Sequence, residues 1–114
     1  MKTAAVVVVE KPWGRELIYA RAPKYVGKIL VINKGERLSR QYHKVKHETI
    51  YVLKGRLSLE LKGRTRLAAP GSVFAIPPRA VHRFSAPRGR VTLLEVSTPE
   101  LWDVVRLSDD YGRK

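Results

Sequence analysis

Between Gly35 and Gly55 the chain gathers side chains able to hold a cation: Gln41, His43, His47 and Glu48, in the run GERLSRQYHKVKHETIYVLKG. Residues two apart on a strand share a face, so Gln41 and His43 project together while Arg40 and Tyr42 face the other way. Glu48 opens the next apolar run, where a chain reversal brings its carboxylate beside the pair. The alternative is a surface pair with Lys44 or Lys46, worth about 0–1 kcal/mol. His47 falls between strands and reads as solvated. The remaining imidazole, His82, follows the turn-rich PPRA stretch. Amide oxygen, imidazole nitrogen and carboxylate oxygen form a borderline-to-hard donor set. It suits one divalent ion (Zn, Mn, Fe, Co or Ni) at roughly 2.0–2.2 Å, with positions left for water or substrate.

Other charged residues interrupt apolar runs. Glu95 lies in VTLLEVS, where a glutamate is either functional or, if it shares an outward face with Val91 and Leu93, solvated. Lys28 interrupts Tyr25–Asn33 on the face of Leu30 and Ile32. Arg37 shares a strand face with Ser39, Gln41 and His43, which would aim it at the same cavity.

The elements positioning these groups read as short strands: Ala5–Val9, Glu16–Ala20, Tyr25–Asn33, Arg37–His43, Thr49–Leu53, Arg56–Leu61, Arg64–Ala68, Ser72–Ile76, Val81–Phe84 and Val91–Val96. Leu57, Leu59 and Leu61 alternate with polar residues as one buried face requires. Lys54-Gly55 and Lys62-Gly63 sit where tight hairpin turns belong. No helical stripe precedes Thr98, and from Pro99 onward ELWDVVRLSDDYGR is expected to form one or two helical turns, with Leu101, Trp102 and Val105 packed on the body. The pattern is that of an all-β sandwich or barrel. Its 114 residues are expected to form a single domain, 1–114.

Composition narrows the setting. No cysteine is present, which excludes disulfides and thiolate metal sites and points to the cytoplasm. The apolar stretch TAAVVVV is followed by Glu10 and Lys11 without a cleavage pattern, so it reads as a buried strand, not a targeting segment. No run approaches the ~20 apolar residues of a membrane helix. Met1 is the only methionine, and Asn33 and Gln41 the only side-chain amides, a usage resembling that of thermophiles. A net charge of +13 favours anionic partners. It is dispersed, and no nucleic-acid-binding signature accompanies it, so no specific nucleic acid is expected.

The Gly35–Gly55 stretch resembles the first cupin motif, G-x5-H-x-H-x3/4-E-x6-G, matching at every step with Gln41 in place of the first histidine. Gly71, Pro77 and His82 resemble the second, G-x5-P-x-G-x2-H-x3-N, with Arg79 and Ala86 replacing its glycine and asparagine. The resemblance implies a double-stranded β-helix, a jelly-roll barrel with a short C-terminal helical or irregular segment. Inside it Gln41, His43, Glu48 and His82 would converge on one divalent metal. EKPWGRELIYA, LSRQYH and DVVRLSDDYGR are in turn similar to the mannose-6-phosphate isomerase branch, as found in enzymes that also carry a mannose-1-phosphate guanylyltransferase domain. No nucleotide-binding glycine loop is present, so this would be the cupin unit alone. Glu48-Thr-Ile replaces that branch's E-H-W and is equally similar to small single-domain cupins.

What this resemblance implies is aldose–ketose interconversion of a phosphorylated sugar or related small anion. Glu95 would be the proton-transferring base, with Lys28, Arg37 and Arg106 binding the anion and Arg113 able to close over the opening. Trp13 reads as a packing anchor. The rival functions are a small metal-dependent dioxygenase and a non-catalytic carbohydrate-binding cupin. The valine run offers an edge for pairing as a homodimer.

Overall fold

The computed structural model describes residues 1–114 as eleven strands and no helix. In chain order they are β1 (Val7–Lys11), β2 (Gly14–Arg21), β3 (Val26–Ile32), β4 (Arg40–Tyr42), β5 (Glu48–Lys54), β6 (Leu57–Leu61), β7 (Arg64–Ala68), β8 (Val73–Ile76), β9 (His82–Ser85), β10 (Val91–Ser97) and β11 (Val105–Ser108). They form two antiparallel sheets, ordered β1-β2-β3-β10-β5-β8 and β11-β4-β9-β6-β7. The architecture is all-β, consistent with a double-stranded β-helix.

Period-two alternation puts one face of each strand between the sheets. Leu30 and Ile32 of β3, Ile50 and Val52 of β5, Leu57 and Leu59 of β6, and Val91 and Leu93 of β10 are all buried there. Trp13 is also buried, and its carbonyl accepts a hydrogen bond from the Asn33 N–H at 2.9 Å, which pins the N-terminal hairpin to the barrel. Lys62 and Gly63 take φ values of +52° and +79°, the left-handed pair of a two-residue hairpin between β6 and β7.

Several expectations need correction. The valine run is not buried: Val6, Val7 and Val8 are each 52% exposed, because β1 is the outer strand of its sheet. Lys54-Gly55 does not close a hairpin, since β5 and β6 lie in different sheets and the turn carries the chain across the sandwich. Gly55 is nonetheless required: φ is +78°, and a Cβ there would meet the Arg90 carbonyl oxygen at 2.3 Å. The C-terminal segment forms a turn at Leu101–Trp102 and then β11, not helix. The β-branched pair Val104–Val105 favours the extended backbone that the free edge of β4 can pair with. Trp102 does not pack on the body; it is 78% exposed.

Candidate metal centre

Four strands deliver the key side chains. His43 leaves the end of β4, Glu48 begins β5, and His82 begins β9; one donor atom from each lies within 4.8 Å of the others. Gln41 is the cross-strand partner of His82 and lines the same cavity. Glu95 lies on β10, opposite Lys28 of β3 on one side and Ile50 of β5 on the other. The cavity they share is about 240 Å³. That is below the roughly 300–1,000 Å³ of drug-sized sites, so it suits a small ligand.

Both imidazoles have their tautomers set from behind. The Nδ1–H of His43 donates to the Asp103 carbonyl, and that of His82 donates to the Ala80 carbonyl at 2.9 Å. Each Nε2 is thereby left as a lone-pair donor aimed at Glu48 Oε1, at 3.0 Å from His43 and 3.2 Å from His82. Three electron-pair donors, all buried, thus converge without a fixed proton among them. A cation satisfies that arrangement, and the donor set suits a divalent metal. Gln41 Nε2 donates to Ser39 Oγ at 3.0 Å, which turns its oxygen into the ligand-capable atom.

The electrostatics favour an ionised Glu48. Burial opposes its charge, but the side chains of His43, His82 and Glu95 around it, together with the Lys46 charge, hold it well below the usual carboxylate range. Glu95 goes the other way. Burial first, then the neighbouring Glu48 charge, push it up to about 8 against the pull of Lys46. Its Oε2 lies 3.6 Å from Lys46 Nζ, too far for a hydrogen bond, and has no hydrogen-bond partner. Burial also disfavours the Lys46 charge, yet Glu95, Glu48 and Glu16 together raise its pKa.

Of the eight expected site residues, seven line this cavity: Lys28, Gln41, His43, Glu48, His82, Glu95 and Arg106. Glu95 is 4% exposed and its face-mates Val91 and Leu93 are buried, so that face points inward. Lys28 is also inward, but its Nζ already sits 3.4 Å from Glu16. Arg37 is the exception. The strand expected from residue 37 begins only at Arg40, and Arg37 is turned outward, where its Nε donates to Asp110 at 2.6 Å. As expected, His47 is exposed.

Two residues escaped the sequence reading. Lys46 reads as a surface cation in a lysine-rich loop, yet it is 5% exposed and faces Glu95. Asp103 opens the DVVRLSDDYGR stretch, but nothing in its spacing assigns it a role at the site. Its carboxylate accepts the N–H groups of Lys44, Val45 and Lys46 at 3.0, 2.7 and 2.9 Å, while its carbonyl accepts from His43. One residue therefore anchors both an imidazole and the loop leading to Glu48.

Comparison with known proteins places the fold. The family model described as "Cupin domain" matches residues 28–97. A mannose-1-phosphate guanylyltransferase, ManC, of Salmonella typhimurium is 33% identical over 110 residues, which cover 92% of this chain. The chain spans only 23% of that protein's length. Among solved structures, KdgF from Halomonas sp. superposes with a TM-score of 0.76 at 21% identity, covering 85% of this chain and 87% of that one. A cupin-2 domain protein from Rhodospirillum rubrum gives a TM-score of 0.80 at 15% identity, covering 90% and 76%. At these identities the two structures establish the fold alone.

Proposed function

The chain belongs to the cupin family, and from that premise we propose that it is a metal-dependent sugar-phosphate isomerase of the mannose-6-phosphate isomerase type. The observation that carries this reading is the pairing of two kinds of carboxylate in one cavity. Glu48 is ionised among nitrogen donors, while Glu95 is buried with its pKa pushed up to about 8. Groups whose environments drive them apart are suited to different roles, here ligand and proton carrier.

In this reading Gln41, His43, Glu48 and His82 hold one divalent ion, which when bound supplies a Lewis acid to the substrate's carbonyl. Glu95 Oε2, buried and without a hydrogen-bond partner, takes the proton from C2 of the aldose and returns it at C1 of the ketose, while the O2 hydroxyl proton passes to O1 so that the carbonyl moves from C1 to C2. A proton affinity near neutrality suits a group that must both accept and release. Lys46 steadies the ionised form of Glu95, and Lys28 is held in the wall by Glu16. Leu30, Leu38 and Phe84 line the remaining wall and keep water from the reacting carbons. The wider family likeness includes proteins several times longer than this chain, so the nucleotidyl-transfer activity in their names is not carried over.

The test is proton exchange. Metal-loaded protein incubated with mannose 6-phosphate in deuterium oxide is expected to give fructose 6-phosphate carrying deuterium at C1, and on reversal mannose 6-phosphate labelled at C2, seen by NMR. Glu95→Gln should abolish exchange and leave bound metal, measured by elemental analysis, unchanged. Metal-dependent sugar binding with no exchange would reassign the chain as a carbohydrate-binding protein. The reading also pairs two copies along the free edge of β1; light scattering giving a monomer mass would remove that part.

A further inference from the structure

Charge accounting around the cavity singles out one region. Lys28 is matched by Glu16 at 3.4 Å, Lys46 faces Glu95 at 3.6 Å, and Arg113 is held in a two-point contact by Asp109 at 2.9 and 3.1 Å. Glu48 is occupied by the two imidazoles. The cavity-lining cations left without an Asp or Glu partner are Lys11 of β1 and Arg106 of β11. Arg106 Nη1 donates only to the main-chain oxygen of Lys114, the last residue, and its Nε is buried with no hydrogen-bond partner. A buried guanidinium N–H left unpaired costs free energy that an incoming acceptor would recover.

Position gives this cation a geometric relation to the metal centre. Arg106 is the cross-strand partner of Gln41, which is in turn the partner of His82. The three share one row across the sheet, so Arg106 stands roughly 10 Å from His82 at about 4.8 Å per strand. Lys11 enters the cavity from the outer strand of the opposite sheet. Both residues lie on strands that flank the stretch 28–97 matched by the family model.

We propose that Arg106, assisted by Lys11, forms an oxyanion subsite for a small ligand whose other end carries the metal-binding oxygens. Its ligand class is a short polyhydroxylated phosphate monoester or carboxylate. The subsite rests on reading the cavity as a sugar-phosphate site; of the three expected anion-binding residues it keeps Arg106, and Lys11 takes the place of Lys28 and Arg37. Bidentate N–H groups of arginine match either oxyanion, and Lys11 adds charge without direction.

The experiment is calorimetric titration of inorganic phosphate, and separately acetate, into metal-free protein at low ionic strength. Wild-type protein is expected to bind one equivalent at a dissociation constant of millimolar or below, with the tighter anion naming the group. Arg106→Met should weaken binding at least tenfold and Lys11→Met severalfold. Arg88→Met removes one exposed positive charge away from the cavity and should change binding less than twofold. Arg106→Lys, which keeps the charge, serves as the second variant, with intermediate affinity expected. Zinc affinity within threefold of wild type establishes that each variant is folded around the centre. Absence of phosphate and acetate binding, or equal losses in Arg106→Met and Arg88→Met, overturns the subsite. Binding that follows the expected order in a protein that fails to exchange sugar protons upholds the subsite and overturns only the isomerase reading.

Discussion

At the residue scale, function in this chain depends on groups held by backbone as much as by side chains. The main-chain carbonyls of Asp103 and Ala80 choose the tautomers of His43 and His82, so neither imidazole depends on a carboxylate neighbour for its orientation. Asp103 has the wider role, because its carboxylate also caps three successive N–H groups of the loop entering β5. Burial opposes its ionisation, but those backbone N–H groups hold its pKa below the usual range. Asp103→Ala is therefore expected to weaken zinc binding by about 10- to 100-fold, the usual range for groups that orient ligands. Asp103→Asn keeps one side-chain oxygen and should recover part of that loss. Calorimetric titration of zinc checks both, and an unchanged affinity would mean that the loop holds itself.

The element scale carries the clearest departure from the family pattern. At position 79 the second cupin motif has glycine, and Arg79 here takes a φ of +68°. Its N–H donates to the His43 carbonyl at 2.6 Å, so the turn must keep this conformation to stay docked on the ligand strand. The left-handed region costs a side-chain-bearing residue about 1–2 kcal/mol, whereas glycine loses roughly 0.5–1 kcal/mol of chain entropy. Arg79→Gly should thus stabilise the fold by about 0.5–1 kcal/mol, a rise in Tm of a few degrees by calorimetry. A second element-scale device is the tail after β11. Hydrogen bonding to the Arg113 side chain, then to backbone N–H groups, lowers the Asp109 pKa to about 2. A depressed carboxylate contributes stability that is complete above its unfolded value near 3.9 and lost as pH falls through the folded one. Between about pH 4 and pH 2 the tail is expected to detach, and amide hydrogen exchange of residues 109–113 should accelerate there before that of β5 or β10. Exchange that rises together in all three would contradict it.

At the scale of the whole molecule, the +13 charge and the buried donor set respond differently to salt. Anion capture at the cavity mouth draws on the long-range field, which weakens as the Debye length falls from ~10 Å at 0.1 M to ~3 Å at 1 M. The dissociation constant for inorganic phosphate should rise severalfold over that range while zinc affinity shifts little, since the candidate donor atoms of His43, Glu48 and His82 are buried. Equal salt dependence of the two would place them in the same solvated region. Much of this architecture was legible beforehand, and for a definite reason. Alternation at Leu57, Leu59 and Leu61 reports a local period, and the spacing from Gly35 to Gly55 reports a local chain reversal. Each is encoded within about twenty residues. Those signals marked most of the strands and the all-β class, while the grouping of Gln41, His43, Glu48 and His82 came from the resemblance to the two cupin motifs. They left the direction of Glu95 open, because an apolar strand with one carboxylate reads alike from either face until the opposing sheet is in place. They also missed Lys46 and Asp103, whose partners are 49 and about 60 residues away in the chain. The extended tail depended on a free edge of β4, and the outward turn of Arg37 on Asp110. Sequence alone settled what repeats over short distances; only the tertiary structure settled what is decided by contact between segments that the chain keeps far apart.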